Sequence, residues 1–301
     1  MRGNMTENRE GAGTGAWTLR SAGTTPCAVS SPICVTVAAH KPYRMPDDPM
    51  YLPLHVGAAL HPNVVVAANA VGDDTGENIS RLNDSYYELT GLYWLWKNTD
   101  EPFVGLVHYR RHFGTRSLVR QHGASDRFAR IVGHEELGVL LEDHDIVLPK
   151  KRNYYIETIY SHYAHTFPGE QLQAVHAVLQ RDFPEYLPAF AVVMKSTTAH
   201  MFNMFVMSRE RLDEYCSWLF LVLEELTALI PPDKYGDAFQ ARYPGRISEM
   251  LLDVWLITNG YDSSEHCTEL PVVSPEPINW MKKGSSFLLA KVGLKKYSKS
   301  F

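Results

Sequence analysis

The stretch Phe103-Val104-Gly105-Leu106-Val107-His108-Tyr109-Arg110-Arg111-His112-Phe113 decides how this chain is read. Its first five residues are a short apolar run with the composition of a strand buried on both faces. The run then discharges His108, Tyr109, Arg110, Arg111 and His112 at its carboxyl end. In an α/β sheet, ligands bind outside the carboxyl ends of the strands. Two guanidinium groups and two imidazoles there suit an anion, most simply a phosphate or diphosphate. If the strand runs on through both arginines, they point to opposite faces and only one reaches a ligand. The alternative is one arginine paired with a carboxylate and the other solvated.

Composition narrows the classes around that strand. The chain has 301 residues, 45% hydrophobic and 21% charged, the range of soluble globular proteins with one large domain or two small ones. A net charge of -5 and a pI near 6.2 argue against a general nucleic-acid binder. No apolar run approaches the roughly 20 residues that span a bilayer. Cys27, Cys34, Cys216 and Cys267 are widely spaced with no CxxC pair, so they read as reduced thiols of a cytosolic protein, not as a disulfide frame or zinc site. The aromatic content suits a sugar-handling cleft and a packed core equally.

Outward from the central strand, residues 33–39 (Ile-Cys-Val-Thr-Val-Ala-Ala) predict a first strand that ends in His40-Lys41-Pro42, the usual opening of a nucleotide-binding α/β domain. Residues 1–31, rich in Gly, Ser, Thr and Ala, predict a disordered tail without the apolar centre of a signal peptide. Residues 42–62, punctuated by Pro42, Pro46, Pro49, Pro53 and Pro62, predict an irregular loop, and 63–70 a second short strand. The polar stretch 72–80 is either a ligand-contacting loop or a pair of Asx turns. Asn83-Asp84-Ser85 predicts the cap of one helix running to Asn98, with Leu89, Leu92, Tyr93 and Trp96 on its core face. Glu88 lies beside that stripe and reads as a flanking surface charge, the alternative being a buried acid with a partner.

Residues 114–132 predict a mobile basic loop, 134–142 a helix and 145–149 a strand. Lys150-Lys151-Arg152 is a solvated turn or an extension of the anion site. Residues 154–165 carry tyrosines and histidines at helical spacing, and 169–182 and 186–195 predict helices. Residues 200–207 predict a strand with His200 and Asn203 as its polar members. Ser208 caps a long helix to about residue 230. A helix over 248–256 places Glu249 in its first turn, where a carboxylate complements the dipole, and Asp253 one turn on. Residues 269–273 predict the last strand. The basic tail from Lys282 suits an anionic membrane surface or a packed terminal helix.

Six stretches, taken as a set, resemble the bacterial DUF4422 family, associated with capsular and exopolysaccharide synthesis. They are residues 47–60 (Asp-Asp-Pro-Met-Tyr-Leu-Pro-Leu-His-Val-Gly-Ala-Ala-Leu), 72–80 (Gly-Asp-Asp-Thr-Gly-Glu-Asn-Ile-Ser), 88–98, 104–111 (Val-Gly-Leu-Val-His-Tyr-Arg-Arg), 199–207 and 246–256. The resemblance implies a glycosyltransferase: an α/β, GT-A-like single domain over 32–301, with a mixed, mostly parallel central sheet flanked by helices. It implies a nucleotide-sugar donor, a UDP-sugar being favoured since some relatives are thought to transfer galactofuranose. The pathway implies a glycan or polyprenyl-diphosphate-linked acceptor and a cytoplasmic place, peripheral at the inner membrane face.

Glycosyl transfer must stabilise a departing diphosphate, deprotonate the acceptor hydroxyl if it inverts, and hold an oxocarbenium-like sugar in line. GT-A enzymes commonly use a divalent metal on a DxD motif after a strand. Here that place holds His108-Tyr109-Arg110-Arg111, and the only DxD, Asp143-His144-Asp145, precedes its predicted strand. The expectation is therefore no cofactor, with cations on the diphosphate; Mg or Mn on Asp73 and Asp74 is the alternative. Donor contacts are assigned to His40, Asp73, Asp74, Asn78, His108, Tyr109, Arg110 and Arg111. Glu249 is the expected base, with Asp253 second, and His200 and Asn203 are placed near sugar or acceptor. Two competing classes are a non-catalytic glycan- or lipid-carrier-binding subunit of an assembly complex and a sugar phosphotransferase, though the chain has no P-loop.

Overall fold

The computed structural model describes residues 32–275; the predicted tail 1–31 and the basic segment from Lys282 lie outside them. Among the described residues the central sheet has seven strands: Ile33–Ala39 (β1), Tyr51–His55 (β2), Val71–Gly72 (β3), Phe103–His108 (β4), Ile146–Pro149 (β6), Phe205–Ser208 (β9) and Cys267–Leu270 (β10). Two short ribbons complete the strands, His112–Phe113 (β5) with Val272–Val273 (β11), and Arg152–Asn153 (β7) with Thr198–Ala199 (β8). The sheet order is β10-β6-β9-β4-β1-β2-β3, and its pairings are parallel except those of β9. This is the expected mixed, mostly parallel α/β sheet. Because β9 runs backwards, its first residue, Phe205, pairs with Leu106 near the carboxyl end of β4. Residues 200–204 therefore enter the same sheet edge at which His108 to Arg111 leave it.

The apolar composition of β1 and β4 follows from burial on both faces. Cys34 and Ala38 of β1 pack with Leu54 and Leu106 into one core, whereas Val35, Val37 and Ala39 join Tyr51, Val107 and Val147 in the other. Helices Asn83–Tyr86 (α1), Leu89–Asn98 (α2), Ile159–Ala164 (α5), Glu170–Asp182 (α6), Leu187–Lys195 (α7), Arg209–Leu229 (α8) and Tyr243–Asn259 (α9) contribute to the first core. Helix His134–Asp143 (α4) contributes Leu137 and Leu141 to the second; Leu118–Gly123 (α3) lies in the basic segment that was expected to be irregular. Gly105 is required where β4 meets β9, since a Cβ there would lie 2.7 Å from the Phe205 carbonyl oxygen. Among the described residues no helix is long and apolar enough to cross a membrane.

Several elements depart from the sequence expectation. Tyr51–His55 is a fully buried strand, not a loop. Val35 N–H donates to Met50 O and Val56 N–H to Ala39 O, so the even-numbered residues of β2 face β1. Pro53 then faces β3, where pairing begins only at Leu54 and Val71, and its missing N–H breaks no ladder bond. Residues 63–70 form turns, with Val65 exposed, and only Val71–Gly72 pairs. The single helix expected over 83–98 breaks at Tyr87, whose φ is 52°. The strand expected over 200–207 begins only at Phe205. The last strand divides into β10 and β11, and α9 starts at Tyr243, five residues before Ser248.

Candidate functional site

The strand β4 ends before its arginines. His108 N–H donates to Arg111 O at 3.1 Å and Arg111 N–H to His108 O at 2.9 Å, so Tyr109 and Arg110 occupy a two-residue hairpin turn. Arg110 is exposed at the tip and Arg111 is half-buried. Tyr109 is buried and meets His40 edge-on at 5.3 Å, with the Lys41 ammonium 5.0 Å from its ring. His112 turns away from this edge into the core beside Tyr43 and Tyr51.

Opposite the hairpin, Phe202 and Asn203 both hold left-handed backbone, at φ 81° and 49°. Such conformations cost of order 1–3 kcal/mol each and persist only where the surroundings over-determine them. The His108 Nε2–H donates to Phe202 O at 2.8 Å, and Phe202 N–H donates to Glu249 Oε2 at 3.2 Å. Asn203 Nδ2 donates to Glu88 Oε1 at 2.7 Å and to Gly245 O at 3.0 Å. Ser248 Oγ–H donates to Asn203 Oδ1 at 2.9 Å, and the Arg111 guanidinium lies 4.2 Å from the centre of the Phe202 ring. The turn is thus clamped from β4, from the start of α2 and from α9.

Glu88 is not the surface charge the spacing suggested. The break at Tyr87 swings it inward, where its side chain is 14% exposed and 3.9 Å from His108 Nε2. Burial raises its pKa. Burial, with the Glu88 charge next, also raises Glu249 above the ordinary carboxylate range. Burial and the Arg111 charge push His108 down to about 4, so it is a neutral Nε2–H donor at neutral pH. Glu249 is the seventh residue of α9, too far in for a dipole role. Its Oε1 accepts no protein hydrogen bond among the described residues.

Two cations absent from the sequence assignment join this edge. Arg242 and Arg246 stack on Tyr87 at 4.0 Å and on Phe167 at 4.7 Å, and the Nε of each is buried without a hydrogen-bond partner. Their spacing was the available signal: Arg242, Arg246, Glu249 and Asp253 follow one another at four, three and four residues, one face of a helix.

The other assigned residues stand apart from this cluster. Asp73 is fully buried, and its carboxylate accepts from Gly57 N–H, Ala58 N–H, the Ser80 hydroxyl and, at 2.6 Å, the Thr90 hydroxyl. Those four donors tie the ends of β2 and β3 to α2 and leave Asp73 no open oxygen. Asp74 and Asn78 line a cavity of about 570 Å³ with Ala58, Pro62, Arg81 and Leu82, at the end of β2 and β3. His200 is 3% exposed beneath the strained turn. Its Nδ1 is 2.5 Å from Asp253 Oδ1, its Nε2 is 3.0 Å from Glu269 Oε1, and its N–H donates to Asp253 Oδ2. Burial opposes its charge, but the two carboxylates prevail and raise its pKa. Asp143 closes α4 and Asp145 precedes β6, at the opposite sheet edge from the cluster. Among the described residues no group of three or more His, Cys, Asp or Glu side chains could hold a metal ion. With Asp73 saturated, the residues present do not fit a divalent ion at Asp73 and Asp74.

The cluster can therefore do two things chemically. Its guanidinium groups can hold an anion, and Glu249 is a carboxylate with one open oxygen and a raised proton affinity, the property of a general base poised toward neutrality.

A family model described as a domain of unknown function, DUF4422, matches residues 34–260. A solved structure of apo WbbM, a bifunctional glycosyltransferase, superposes with a TM-score of 0.70 at 29% identity. The match covers 80% of this chain and 45% of that one, so this chain spans less than half of the bifunctional protein. No curated protein matches.

Proposed function

Since the chain belongs to the DUF4422 family and shares the fold of a glycosyltransferase, we propose that it transfers a sugar from a nucleotide-diphosphate sugar to a glycan. The observation that carries this reading is the convergence of Glu249 with Arg111, Arg246 and neutral His108 around the strained Phe202–Asn203 turn. The favoured donor is a UDP-sugar, galactofuranose or another hexose, in a GT-A-like arrangement. The acceptor is a growing capsular or exopolysaccharide chain, or a polyprenyl-diphosphate-linked glycan.

In the proposed mechanism Arg110 and Arg111 bind the diphosphate. Each charge-assisted hydrogen bond contributes about 1.5–3 kcal/mol, and more as negative charge develops on the leaving oxygen. His40, Asp74 and Asn78 contact the nucleoside; Asp73 holds the backbone on which that contact rests. The acceptor oxygen attacks the anomeric carbon on the face opposite the departing diphosphate, which inverts the configuration, and Glu249 takes the hydroxyl proton. Asn203 and His200 hold the turn that positions Glu249, and Asp253, occupied by His200, is a positioning residue and not a second base.

The test is thermal stabilisation across nucleotides and nucleotide sugars, with and without EDTA, followed by turnover of the stabilising donor. A UDP-sugar that raises the melting temperature in EDTA supports the reading. Glu249→Gln should then keep that stabilisation and lower kcat by about 10²–10⁴. Stabilisation abolished by EDTA overturns the cation assignment. No response to any nucleotide favours a glycan- or lipid-carrier-binding subunit instead.

A further inference from the structure

The β7–β8 ribbon carries a turn whose surface the transfer mechanism does not use. Tyr154 N–H donates to Thr197 O at 2.8 Å, and Glu157 N–H donates back to Tyr154 O at 3.2 Å. Tyr155 and Ile156 are thereby the two central residues of a tight turn. Such positions favour Gly, Asn and Asp, and Tyr155 holds a left-handed φ of 59°, fixed by its N–H on Asn153 Oδ1 at 2.6 Å. Both side chains stand in solvent, Tyr155 82% and Ile156 81% exposed, and Tyr160 of α5 is 46% exposed. Immediately before the turn, Lys150, Lys151 and Arg152 are exposed, and none has an ion pair within 4.0 Å among the described residues. Glu157, the acid nearest in sequence, is held by His162 at 2.7 Å and His165 at 3.1 Å.

An exposed aromatic and an aliphatic side chain at a turn tip, flanked by three cations, combine the two attractions of an interfacial anchor. The apolar pair enters the headgroup region while the cations meet anionic lipid. A tip of two side chains is too small for a stable protein interface, which takes about 800 Å² from each partner. The position matters as well, since β8 runs directly into His200 and the Phe202–Asn203 turn. We propose that the Lys150–Ile156 segment docks on an anionic bilayer surface and sets the mouth of the site against it. The proposal is independent of glycosyl transfer, because lipid binding is read without any substrate.

The test is co-sedimentation of the full chain with vesicles of phosphatidylcholine alone or with about one-third phosphatidylglycerol. The unmodified protein should bind the anionic vesicles and fall away with added salt. Each cation near such a surface is worth about fivefold in partitioning, so Lys150→Gln/Lys151→Gln/Arg152→Gln should weaken binding about a hundredfold. Tyr155→Ser/Ile156→Ser should weaken it about tenfold. Both variants alter exposed side chains, and an unchanged melting curve shows that they fold. No binding by the unmodified protein overturns the proposal, as does equal binding by all three proteins. Self-association that Tyr155→Ser/Ile156→Ser abolishes, without vesicle binding, overturns it in favour of a contact between copies of the chain.

Discussion

Acid should unlock the hairpin that presents Arg110 and Arg111, and the size of the effect can be worked out. His112, in β5, is fully buried, with Nε2 2.7 Å from the Tyr43 hydroxyl and Nδ1 without a partner. Burial, with His108 as the lesser cause, pushes its pKa down from 6.5 to about 3. Because the folded value lies below the unfolded one, the unfolded chain binds more protons once the pH drops below 6.5. Stability therefore falls from there until His112 itself titrates. Between about pH 7.5 and about pH 5 the linkage amounts to about 2 kcal/mol. His108, pushed down to about 4, adds about 2 kcal/mol more. Against a total stability of about 5–15 kcal/mol this is a large fraction. The assay is urea unfolding of the unmodified protein and of His112→Gln at both pH values. Glutamine keeps a partner for the Tyr43 hydroxyl but has no proton to gain. The variant is less stable at either pH, but its loss on acidification should be smaller by about 2 kcal/mol. Equal losses in the two proteins would refute the buried-neutral assignment of His112.

Three further outcomes follow from the site. Arg111→Ala should raise the Kd for UDP about 10- to 100-fold in isothermal titration; an unchanged Kd removes Arg111 from the diphosphate site. Asp73→Asn should cost about 3 kcal/mol in denaturant unfolding, since four donors lose a charged acceptor; a loss of donor binding at unchanged stability would contradict a structural role. His200 has a raised pKa, so its contribution is complete below 6.5 and is lost as pH rises through the folded value. Glu269, lowered chiefly by its hydrogen bond to His200, contributes fully above 4.5 and is lost as pH falls through its folded value. The stability difference between the unmodified protein and His200→Gln should therefore peak between 4.5 and 6.5, and a difference that grows toward alkaline pH would refute the clamp.

Strands β1 and β4 and four of the flanking helices were legible in the sequence alone. Residues 33–39 and 103–108 read as strands because burial on both faces leaves a continuous apolar run, a property each segment carries alone. Helices α4, α6, α7 and α8 were legible from local periodicity and from Ser208, whose side chain accepts from Arg211 N–H. The polar discharge at the end of β4 was legible as well, and Glu249 stood out as a carboxylate opening a late helix; the structure brings His108, Arg111 and Glu249 together around Phe202. The remaining features depend on partners that lie far apart in the chain. Strand β2 was hidden by Pro53, whose lost N–H is harmless only because β3 starts pairing one residue later. Glu88 became a buried acid through Asn203, 115 residues away, and the strained turn is held by His108, 94 residues away. Periodicity reports which face of an element is buried. It does not report which charged group is buried with it, and that neighbour, through desolvation and charge, sets the protonation of Glu88, Glu249 and His108.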